Sequence, residues 1–537
     1  MKKILAAVCA VLFFALGAVA QDGASQRCAS LSQLRLAAGK VVAATMVTAG
    51  SFEPPAGAVA AGSDKSFYKT LPAFCRVAVV SSPSADSDIK IDVWMPATGW
   101  NGRFRAQGNG GFAGYIDYQG MGVAVREGYA TASTDTGHTG TPTDAGWALD
   151  HPEKVIDFGY RAIHEMTVTA RVAIQKFYGH APRHSYFASC SNGGRQALME
   201  VQRFPDDYDG VIAGAPANFW TPLLTSALWN AQALTETPAG YIPSDKIPAI
   251  AGAVNAACDA KDGVRDGILN DPRQCHFDPR TLLCKGGGSV SCLTAPQVTT
   301  LQKLYEGAHD AHGRAIYPGF LPGGEAGPGG WELWITGPGP GRSLLFAFGT
   351  GFFADMVYES ASWNYRSAAL GAALRAADAK TARDLNATNP NLRTFEEHRG
   401  KLILYHGWDD PAISPLNTIH YYDAMLRSMG EKNVNAFVRL YMVPGMQHCG
   451  GGPGADSFGQ PGALRLGDAQ HDIQVALQGW VEKGIAPERI IATKYEDDNP
   501  SKGVKMTRPL CPYPARSKYK GAGKPNEAAS FTCVAGK

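Results

Sequence analysis

Two adjacent pairs of residues, far apart in the chain, place reactive side chains next to cysteines. Cys190 and Ser191 form one pair, and His448 and Cys449 form the other. A disulfide holds its two Cα atoms about 5–6 Å apart, so a bond between these cysteines would bring the serine within reach of the imidazole. A serine hydroxyl beside an imidazole is the arrangement of a nucleophile and its general base. The two pairs therefore indicate a hydrolase.

The residues around Ser191 predict a strand, a tight turn and a helix. SYFASC precedes the serine and GGRQALMEVQRF follows it. In a nucleophile elbow this order exposes the serine Oγ above the sheet. Ser189 stands where the strict G-x-S-x-G pattern has its first glycine, which weakens the match. A serine that caps a helix is the alternative interpretation.

Candidates for the remaining members of a catalytic triad follow two later predicted strands. Asp410 comes after KLILYHG, and His448 comes after VRLYMVPG. The order Ser…Asp…His is the one used by α/β-hydrolases. In such a triad the histidine takes the serine proton, and the aspartate orients the imidazole. Asp409 is a rival acid that the spacing does not exclude.

Backbone amides that could stabilise an oxyanion occur at two places. One belongs to Asn192, directly after the candidate nucleophile. The other lies in GNGGFAG, where Gly110 or Gly111 allows the backbone to approach a ligand closely. An oxyanion hole needs two such preorganised N–H donors. An ordinary turn is the alternative for the glycine run.

The distribution of strands and helices predicts the fold. Strand-like and helix-like stretches alternate from about residue 88 to 218, which indicates a mostly parallel sheet. Residues 219–395 are rich in Trp, Pro and Gly and lack this alternation. The chain has 537 residues, more than the ~250–300 that one core usually serves. We therefore expect an α/β-hydrolase core, residues 21–218 and 396–537, with an inserted lid domain at 219–395.

The first twenty residues have the character of a secretion signal. Lys2 and Lys3 precede an apolar run, and small residues end the segment at Ala20. A membrane anchor is the alternative, but the run is shorter than the ~20 apolar residues that a spanning helix needs. We expect cleavage after Ala20 and a secreted or periplasmic protein.

The charge balance narrows the range of partners. The chain has 50 Lys and Arg against 48 Asp and Glu, and loss of Lys2 and Lys3 leaves 48 against 48. A neutral balance provides no electrostatic footprint for nucleic acid or an anionic membrane. We expect a small-molecule substrate, no nucleic acid and no membrane, and no motif indicates a protein partner.

The cysteine count predicts disulfides. Eleven cysteines are present, and Cys9 lies in the signal segment. The ten that remain, in an exported chain, predict five disulfides. A zinc cluster is the alternative, but no C-x-x-C pair occurs. Sequence alone does not determine the pairing. Local spacing favours Cys28–Cys75, Cys258–Cys275, Cys284–Cys292 and Cys511–Cys533, which leaves Cys190 and Cys449 for each other.

An acidic loop in the inserted segment is a candidate metal site. CDAKDGVRDGILNDPRQC places Asp259, Asp262 and Asp266 close together. Ca²⁺ prefers six to eight oxygen ligands, and carboxylates in a glycine-punctuated loop can supply them. The spacing is not that of an EF-hand. A solvated acidic turn is the alternative interpretation.

Taken together, these motifs resemble the tannase and feruloyl esterase family. C-S-x-G-G, H-G-x-x-D and H-C occur in the family's order, and the resemblance extends over nearly the whole mature chain through GNGGFAG, ASTDTGH, ITGPGPG and the cysteine pattern. It implies that Asp410 rather than Asp409 is the acid, and that Cys190 pairs with Cys449. It also implies that His406 lines the substrate pocket, although a locally bonded histidine remains an alternative.

The family resemblance also bears on the metal and the substrate. It implies a structural Ca²⁺ held by Asp259, Asp262 and Asp266 and by the carbonyls of Val264 and Ile268. The expected function is a secreted serine esterase for aromatic carboxylic esters of feruloyl or galloyl type. Hydrolysis of mono(2-hydroxyethyl) terephthalate is an alternative within the family. A secreted, calcium-stabilised binding protein without activity is the alternative from another class.

Aromatic residues of the inserted segment are candidates for binding the ring of such a substrate. An aromatic ring stacked on these side chains would gain roughly 0.5–1.5 kcal/mol beyond its area burial. The alternative is that they form the core of the segment itself. The candidates are Trp331, Trp334, Phe346, Phe348, Phe352 and Phe353.

Overall fold

The computed structural model describes residues 23–57, 64–286 and 288–536. The predicted signal segment and its cleavage site lie outside the described residues. The chain divides into two compact units. The first comprises the residues up to Asn109, Ala113–Gly140 and Arg161–Phe187, and the second comprises Gly110–Phe112, Thr141–Tyr160 and Ala188 onward. Among the described residues, no helix has the length and apolar character needed to cross a membrane.

The first unit contains a mixed sheet. β1, β2, β3 and β5 pair antiparallel in that order, and β4 pairs parallel with β5. Residues of β3 and β5 are almost all buried, although both strands include polar residues. The helices are residues 23–30, Tyr118–Arg126 and Ala162–Tyr178. The strands are β1 (Gly39–Val47), β2 (Phe74–Ser81), β3 (Ile89–Pro96), β4 (Arg103–Gln107), β5 (Ala130–Thr134) and β6 (His184–Cys190), the last of which ends in the second unit.

The second unit contains the strands that follow the nucleophile motif. β7 (Gly210–Gly214), β10 (Lys401–Gly407) and β11 (Val438–Val443) pair in parallel, with β10 in the middle. All but one residue of β10 is buried. The helices Leu416–Met429 and Glu431–Phe437 connect β10 to β11. The predicted strands KLILYHG and VRLYMVPG are therefore present as β10 and β11, and the parallel strands place their carboxyl ends at one edge.

Residues 219–395, the inserted segment, are mainly helical and belong to the second unit together with residues 396–537. The segment has its own buried apolar cluster, which includes Ile242, Leu301 and Trp331. A lid domain with these boundaries remains a prediction, because the compact units divide the chain elsewhere. The helices are Trp220–Thr235, Ile247–Cys258, Ala295–Glu306, Leu344–Gly351, Leu370–Ala377, Arg383–Leu385 and Arg393–Glu397, and the strands are β8 (Gly307–His309) and β9 (Ala315–Pro318).

The remaining elements of the second unit lie before and after the parallel strands. Two antiparallel pairs, β12 with β13 and β14 with β15, follow the last helix. The remaining helices are Pro152–Ile156, Asn192–Arg203 and Ile473–Lys483, and the remaining strands are β12 (Ile490–Tyr495), β13 (Val504–Leu510), β14 (Arg516–Tyr519) and β15 (Phe531–Val534).

Candidate active site

Ser191 lies on a sharp turn between the end of β6 and the helix Asn192–Arg203. Its backbone has φ 66° and ψ −124°, a conformation that costs a non-glycine residue of order 1–3 kcal/mol. Its amide donates to the carbonyl of Gly214, and its carbonyl accepts from the amide of Arg195. A Cβ on Gly194 would lie 2.3 Å from the oxygen of Gly214. Glycine is therefore required where the helix passes the end of β7.

Ser191, His448 and Asp410 form a continuous chain of hydrogen bonds. The Ser191 Oγ lies 2.9 Å from His448 Nε2, and His448 Nδ1 lies 2.8 Å from Asp410 Oδ2. A carboxylate only accepts hydrogen bonds, so Nδ1 carries the imidazole proton and Nε2 accepts from the serine. This is the geometry of a nucleophile, a general base and an orienting acid.

Asp410 is fully buried but well supplied with donors. The amides of Ala412 and Ile413 donate to Oδ1 at 2.8 and 3.0 Å. Burial alone would raise the pKa of Asp410, but the charge of His448 and the hydrogen bonds from His448 and His406 outweigh burial and hold its pKa below the usual range. Asp410 is therefore ionised and suited to stabilise an imidazolium.

Asp409, the rival acid, lies in a different environment. It is also buried, and its Oδ1 has no hydrogen-bond partner. Burial raises its pKa well above the usual range, and the charge of Glu325 adds to the shift. The structure thus places Asp410, not Asp409, beside His448.

His406 does not line the cavity beside Ser191, against the expectation that it contacts substrate. The residue is completely buried. Its Nδ1 accepts from the hydroxyl of Thr418 at 2.7 Å, and its Nε2 donates towards Asp410 Oδ2 at 3.1 Å and the carbonyl of Ile413 at 3.0 Å. His406 is therefore the locally bonded histidine of the alternative interpretation. It lies behind Asp410 and helps to hold it.

All five predicted disulfides are confirmed. Cys190 and Cys449 are bonded with their Cα atoms 6.0 Å apart, across a sequence separation of 259 residues. The bond therefore joins the residue before Ser191 to the residue after His448. The other bonds are Cys28–Cys75, Cys258–Cys275, Cys284–Cys292 and Cys511–Cys533.

The predicted oxyanion donors lie at the same place as the serine. Asn192 is the first residue of the helix after Ser191, and its side chain is buried. Asn192 and Gly111 both line the cavity beside the serine, whereas Gly110 does not. Gly111 has φ 59°, and a Cβ there would lie 2.3 Å from the oxygen of Pro142. Only glycine therefore fits at this point of the loop.

The cavity beside Ser191 has mostly apolar walls. Of the six aromatic candidates in the inserted segment, Trp334 and Phe348 line it. Trp331, Phe352 and Phe353 are buried in the protein interior instead. Trp220 also lines the cavity, which sequence reasoning missed because its helix has apolar residues on all sides. The complete lining is Gly111, Ser191, Asn192, Ala217, Trp220, Leu223, Leu224, Ala227, Trp334, Leu345, Phe348, Ala412, Ile413 and His448.

Backbone amides of the acidic loop donate hydrogen bonds to the carboxylates of the same loop. Asp259 accepts from the amide of Gly267 at 2.9 Å, and Asp262 accepts from that of Val264 at 3.0 Å. Asp266 pairs with Arg508 at 2.5 Å. Burial raises the pKa of Asp262 to about 6, and the charges of Asp266 and Asp259 add to the shift. The loop thus concentrates negative charge that a cation would neutralise.

Two backbone carbonyls in the same loop lack hydrogen-bond donors. Val264 and Ile268 are buried residues. Within the part of the chain that the structure describes, their carbonyl oxygens accept no hydrogen bond. Buried carbonyls are normally paired, so these two oxygens are suited to a metal ion and fit the predicted ligand set.

Known proteins are similar to this chain in sequence and in fold. The family model described as tannase and feruloyl esterase matches residues 75–534. An uncharacterised esterase of Xanthomonas campestris is 42% identical over 95% of this chain and 92% of its own length. A probable feruloyl esterase B-1 of Aspergillus fumigatus is 33% identical over 92% of both chains. The crystal structure of feruloyl esterase B from Aspergillus oryzae superimposes with a TM-score of 0.85 at 29% identity, covering 95% of this chain and all of the other.

The strand–turn–helix around Ser191, the parallel strands that follow it and these comparisons define a carboxylic ester hydrolase with the α/β-hydrolase fold. The chain belongs to the tannase and feruloyl esterase family.

The two adjacent aspartates should respond very differently to replacement by asparagine. Asp410→Asn removes the acceptor that selects the imidazole tautomer, so kcat should fall by at least about 1000-fold. Asp409→Asn replaces a carboxyl group whose pKa burial raises and which makes no hydrogen bond to His448, so kcat should stay within about fivefold of the wild type. Steady-state hydrolysis of an ester by both variants checks this. An inactive Asp409→Asn together with an active Asp410→Asn would contradict the assignment.

The Cys190–Cys449 bond should matter more for rate than a disulfide elsewhere. Replacing both cysteines by alanine should lower kcat at least about tenfold, since small errors in the position of reacting groups are costly. It should also lower stability by a few kcal/mol, as expected for a bond that closes a long loop. The matched control is the double alanine variant of Cys284–Cys292, which spans 8 residues and should keep kcat. Free thiols at Cys190 and Cys449 in peptide maps of the wild type would refute the premise.

Proposed function

We propose that this protein is an exported serine esterase that hydrolyses aromatic carboxylic esters of the feruloyl or galloyl type. The hydrogen-bond chain from Ser191 through His448 to Asp410, beside an apolar cavity with aromatic walls, carries the proposal. The names of the relatives support the ester class, and five disulfides support an oxidising location outside the cytoplasm.

The first half of the reaction would acylate Ser191. His448 Nε2 takes the hydroxyl proton while Oγ attacks the ester carbonyl, and a tetrahedral oxyanion forms. Nδ1 stays bonded to Asp410, whose negative charge stabilises the imidazolium. His448 then gives its proton to the departing alkoxide. The C–O bond of the ester breaks, the alcohol leaves, and the acyl group remains on the serine.

The second half would hydrolyse the acyl-enzyme with water. His448 removes a proton from the water molecule, whose oxygen attacks the acyl carbon. When the second tetrahedral intermediate collapses, the proton returns to Ser191 and the carboxylic acid leaves. In both halves the amides of Asn192 and Gly111 are the proposed donors to the oxyanion, because both residues line the cavity next to the serine.

The shape and chemistry of the cavity favour an aromatic acyl group. Trp220, Trp334 and Phe348 provide ring surfaces, and the Trp334 ring lies edge-on to the His448 imidazole with centroids 4.8 Å apart. Trp334 and Phe348 are nearly parallel, at an interplanar angle of 17° and a centroid distance of 6.4 Å. A planar acyl group beside these rings would gain roughly 0.5–1.5 kcal/mol beyond its area burial.

We also propose that the acidic loop holds a structural Ca²⁺. The carboxylates of Asp259, Asp262 and Asp266 and the carbonyls of Val264 and Ile268 would supply the oxygen ligands that Ca²⁺ prefers. The raised pKa of Asp262 and the two carbonyls without donors support this proposal. The ion would stabilise the loop between Cys258 and Cys275 and would take no part in the ester chemistry.

Two measurements test the esterase proposal. A fluorophosphonate should label the wild type at Ser191, and Ser191→Ala should be unlabelled and inactive, because loss of the nucleophile removes several orders of magnitude in rate. For the wild type, kcat/KM for methyl ferulate should exceed that for methyl butyrate by at least about tenfold, or roughly 1.4 kcal/mol. A wild type that is not labelled would support the inactive binding protein instead.

A pair of phenylalanines on one helix tests the aromatic preference. Phe348 lines the cavity, whereas Phe346 packs its ring against Tyr365 at 5.2 Å. Phe348→Ala should lower kcat/KM for methyl ferulate more than for methyl butyrate, and Phe346→Ala should affect both esters equally. Equal values for the two esters in the wild type would leave only a general carboxylesterase.

Calcium removal should destabilise the protein. A ligand that binds only the folded state adds about 2.7 kcal/mol at a hundredfold excess over Kd, so chelation should lower Tm measured by calorimetry. Asp262→Ala should have the Tm of the chelated wild type, and added calcium should not raise it. Asp278→Ala, which removes an exposed acid paired with Arg280, should respond as the wild type does. Identical melting curves of the wild type with and without chelator would count against the site.

A further inference from the structure

Arg195 is a buried cation one helical turn after the nucleophile. Its side chain is completely inaccessible to solvent. The guanidinium donates to Asn192 Oδ1 from Nε at 2.9 Å and from a terminal nitrogen at 2.7 Å. It also donates to the carbonyls of Gly159 at 2.8 Å and Phe158 at 3.0 Å. Among the described residues, its hydrogen-bond acceptors are thus all uncharged, which is rare for a buried arginine.

Aromatic rings provide the rest of its surroundings. The guanidinium carbon lies 4.6 Å from the ring centroid of Phe158 and 4.9 Å from that of Trp220. Both distances are within the range of cation–π attraction. The two rings contact each other edge to face at 5.4 Å. These contacts compensate only part of the cost of burying a charge, and burial lowers the pKa of Arg195.

The contacts of Arg195 reach both proposed oxyanion donors. On one side it holds the side chain of Asn192, whose amide is the first donor. On the other side, the rings of Phe158 and Trp220 pack against Phe112 at centroid distances of 6.5 and 5.9 Å. Phe112 directly follows Gly111, the second donor, and its amide is fixed by a 2.7 Å bond to the carbonyl of Pro142.

We propose that Arg195 is a positioning residue that holds the Asn192 and Gly111 halves of the oxyanion hole in register, and that its positive charge favours the oxyanion. This inference rests on the proposed function. Among the described residues no carboxylate hydrogen-bonds to Arg195, so its charge contributes a positive field at the start of the helix. The macrodipole of the helix adds to that field at its N-terminus. Both contributions are fixed before the reaction and act when the negative charge develops.

The test uses three variants on two helix positions. Arg195→Met keeps much of the volume but removes the charge and all four hydrogen bonds. Arg195→Lys keeps the charge but loses the planar fork that binds Asn192 and the carbonyls together. The control is Arg203→Met at the exposed end of the same helix, where the guanidinium lies 4.2 Å from the ring of Tyr160. Each variant is assayed for kcat and KM with methyl ferulate and for inhibition by phenylboronic acid and by the uncharged coniferyl alcohol.

A boronic acid forms an anionic tetrahedral adduct with the serine, whereas coniferyl alcohol carries the ring of a ferulate without a negative charge and only occupies the cavity. Arg195→Met should lower kcat about 100-fold, a difference of roughly 2.7 kcal/mol, and should weaken phenylboronic acid inhibition by a similar factor. KM and coniferyl alcohol inhibition should change less than threefold. Arg195→Lys should show about a tenfold loss in the same two quantities, and Arg203→Met should match the wild type.

Two results would overturn the inference. Values of kcat and boronic acid inhibition within threefold of the wild type in both Arg195 variants would show that the guanidinium does not position the donors. Equal losses for phenylboronic acid and coniferyl alcohol would assign Arg195 to the cavity wall alone. If Arg195→Met does not fold, Arg195→Lys decides the outcome with its Tm measured alongside. A wild type that hydrolyses no ester and escapes fluorophosphonate labelling would instead refute the proposed function.

Discussion

The covalent bond between Cys190 and Cys449 is the constraint on which the arrangement of the site depends. It joins residues 259 positions apart, so Ser191 and His448 stay together even though different strands carry them. Both Ser191 and Cys449 have positive φ values, 66° and 64°. Such strained conformations persist only where the surrounding structure determines them. Here these conformations are determined by the disulfide, by the hydrogen bond from the Ser191 amide to the Gly214 carbonyl and by the start of the helix.

Burial and the partners of each group together set the direction of the pKa shifts. Asp409 and Asp410 are neighbours and equally hidden from solvent. Burial acts to raise the pKa of both carboxyl groups. Only Asp410 also has histidines and backbone amides around it, and these outweigh burial, so the two pKa values shift in opposite directions. The environment of Arg195 likewise depends on its partners, which among the described residues are uncharged oxygen atoms and aromatic rings. A low dielectric makes each of these partnerships strong.

The inserted segment supplies one wall of the cavity and is fastened next to the reactive residues. Gln447, which precedes His448, donates to the carbonyl of Ala326 at 2.7 Å. Trp334 contacts the His448 ring directly. The core of the segment, with Trp331 at zero exposure, makes the support rigid. In the inserted segment, therefore, a few aromatic side chains face the cavity and the others hold them in place.

The sequence by itself determined the local elements, because their causes are local. The strands around the motifs follow from buried apolar runs, and four disulfides follow from short spacing. The order of the serine, acid and histidine motifs, together with the family resemblance, predicts the three residues that the structure brings within hydrogen-bond distance. The acidic loop is also visible in the sequence, since its aspartates lie within eight residues, and the Ca²⁺ that it would hold stays a prediction.

Only the tertiary structure decided where side chains point. The spacing of the residues could not choose between Asp409 and Asp410, since that choice depends on what each carboxylate meets after folding. His406 was expected at the pocket and lies behind the acid. Of the six candidate aromatic residues, two line the cavity. No sequence pattern pointed to Trp220 or Arg195. Phe158 and Trp220, whose rings pack on Arg195, lie on segments distant from it in sequence, and a sequence pattern does not contain the direction of a side chain or the contacts it makes across the core.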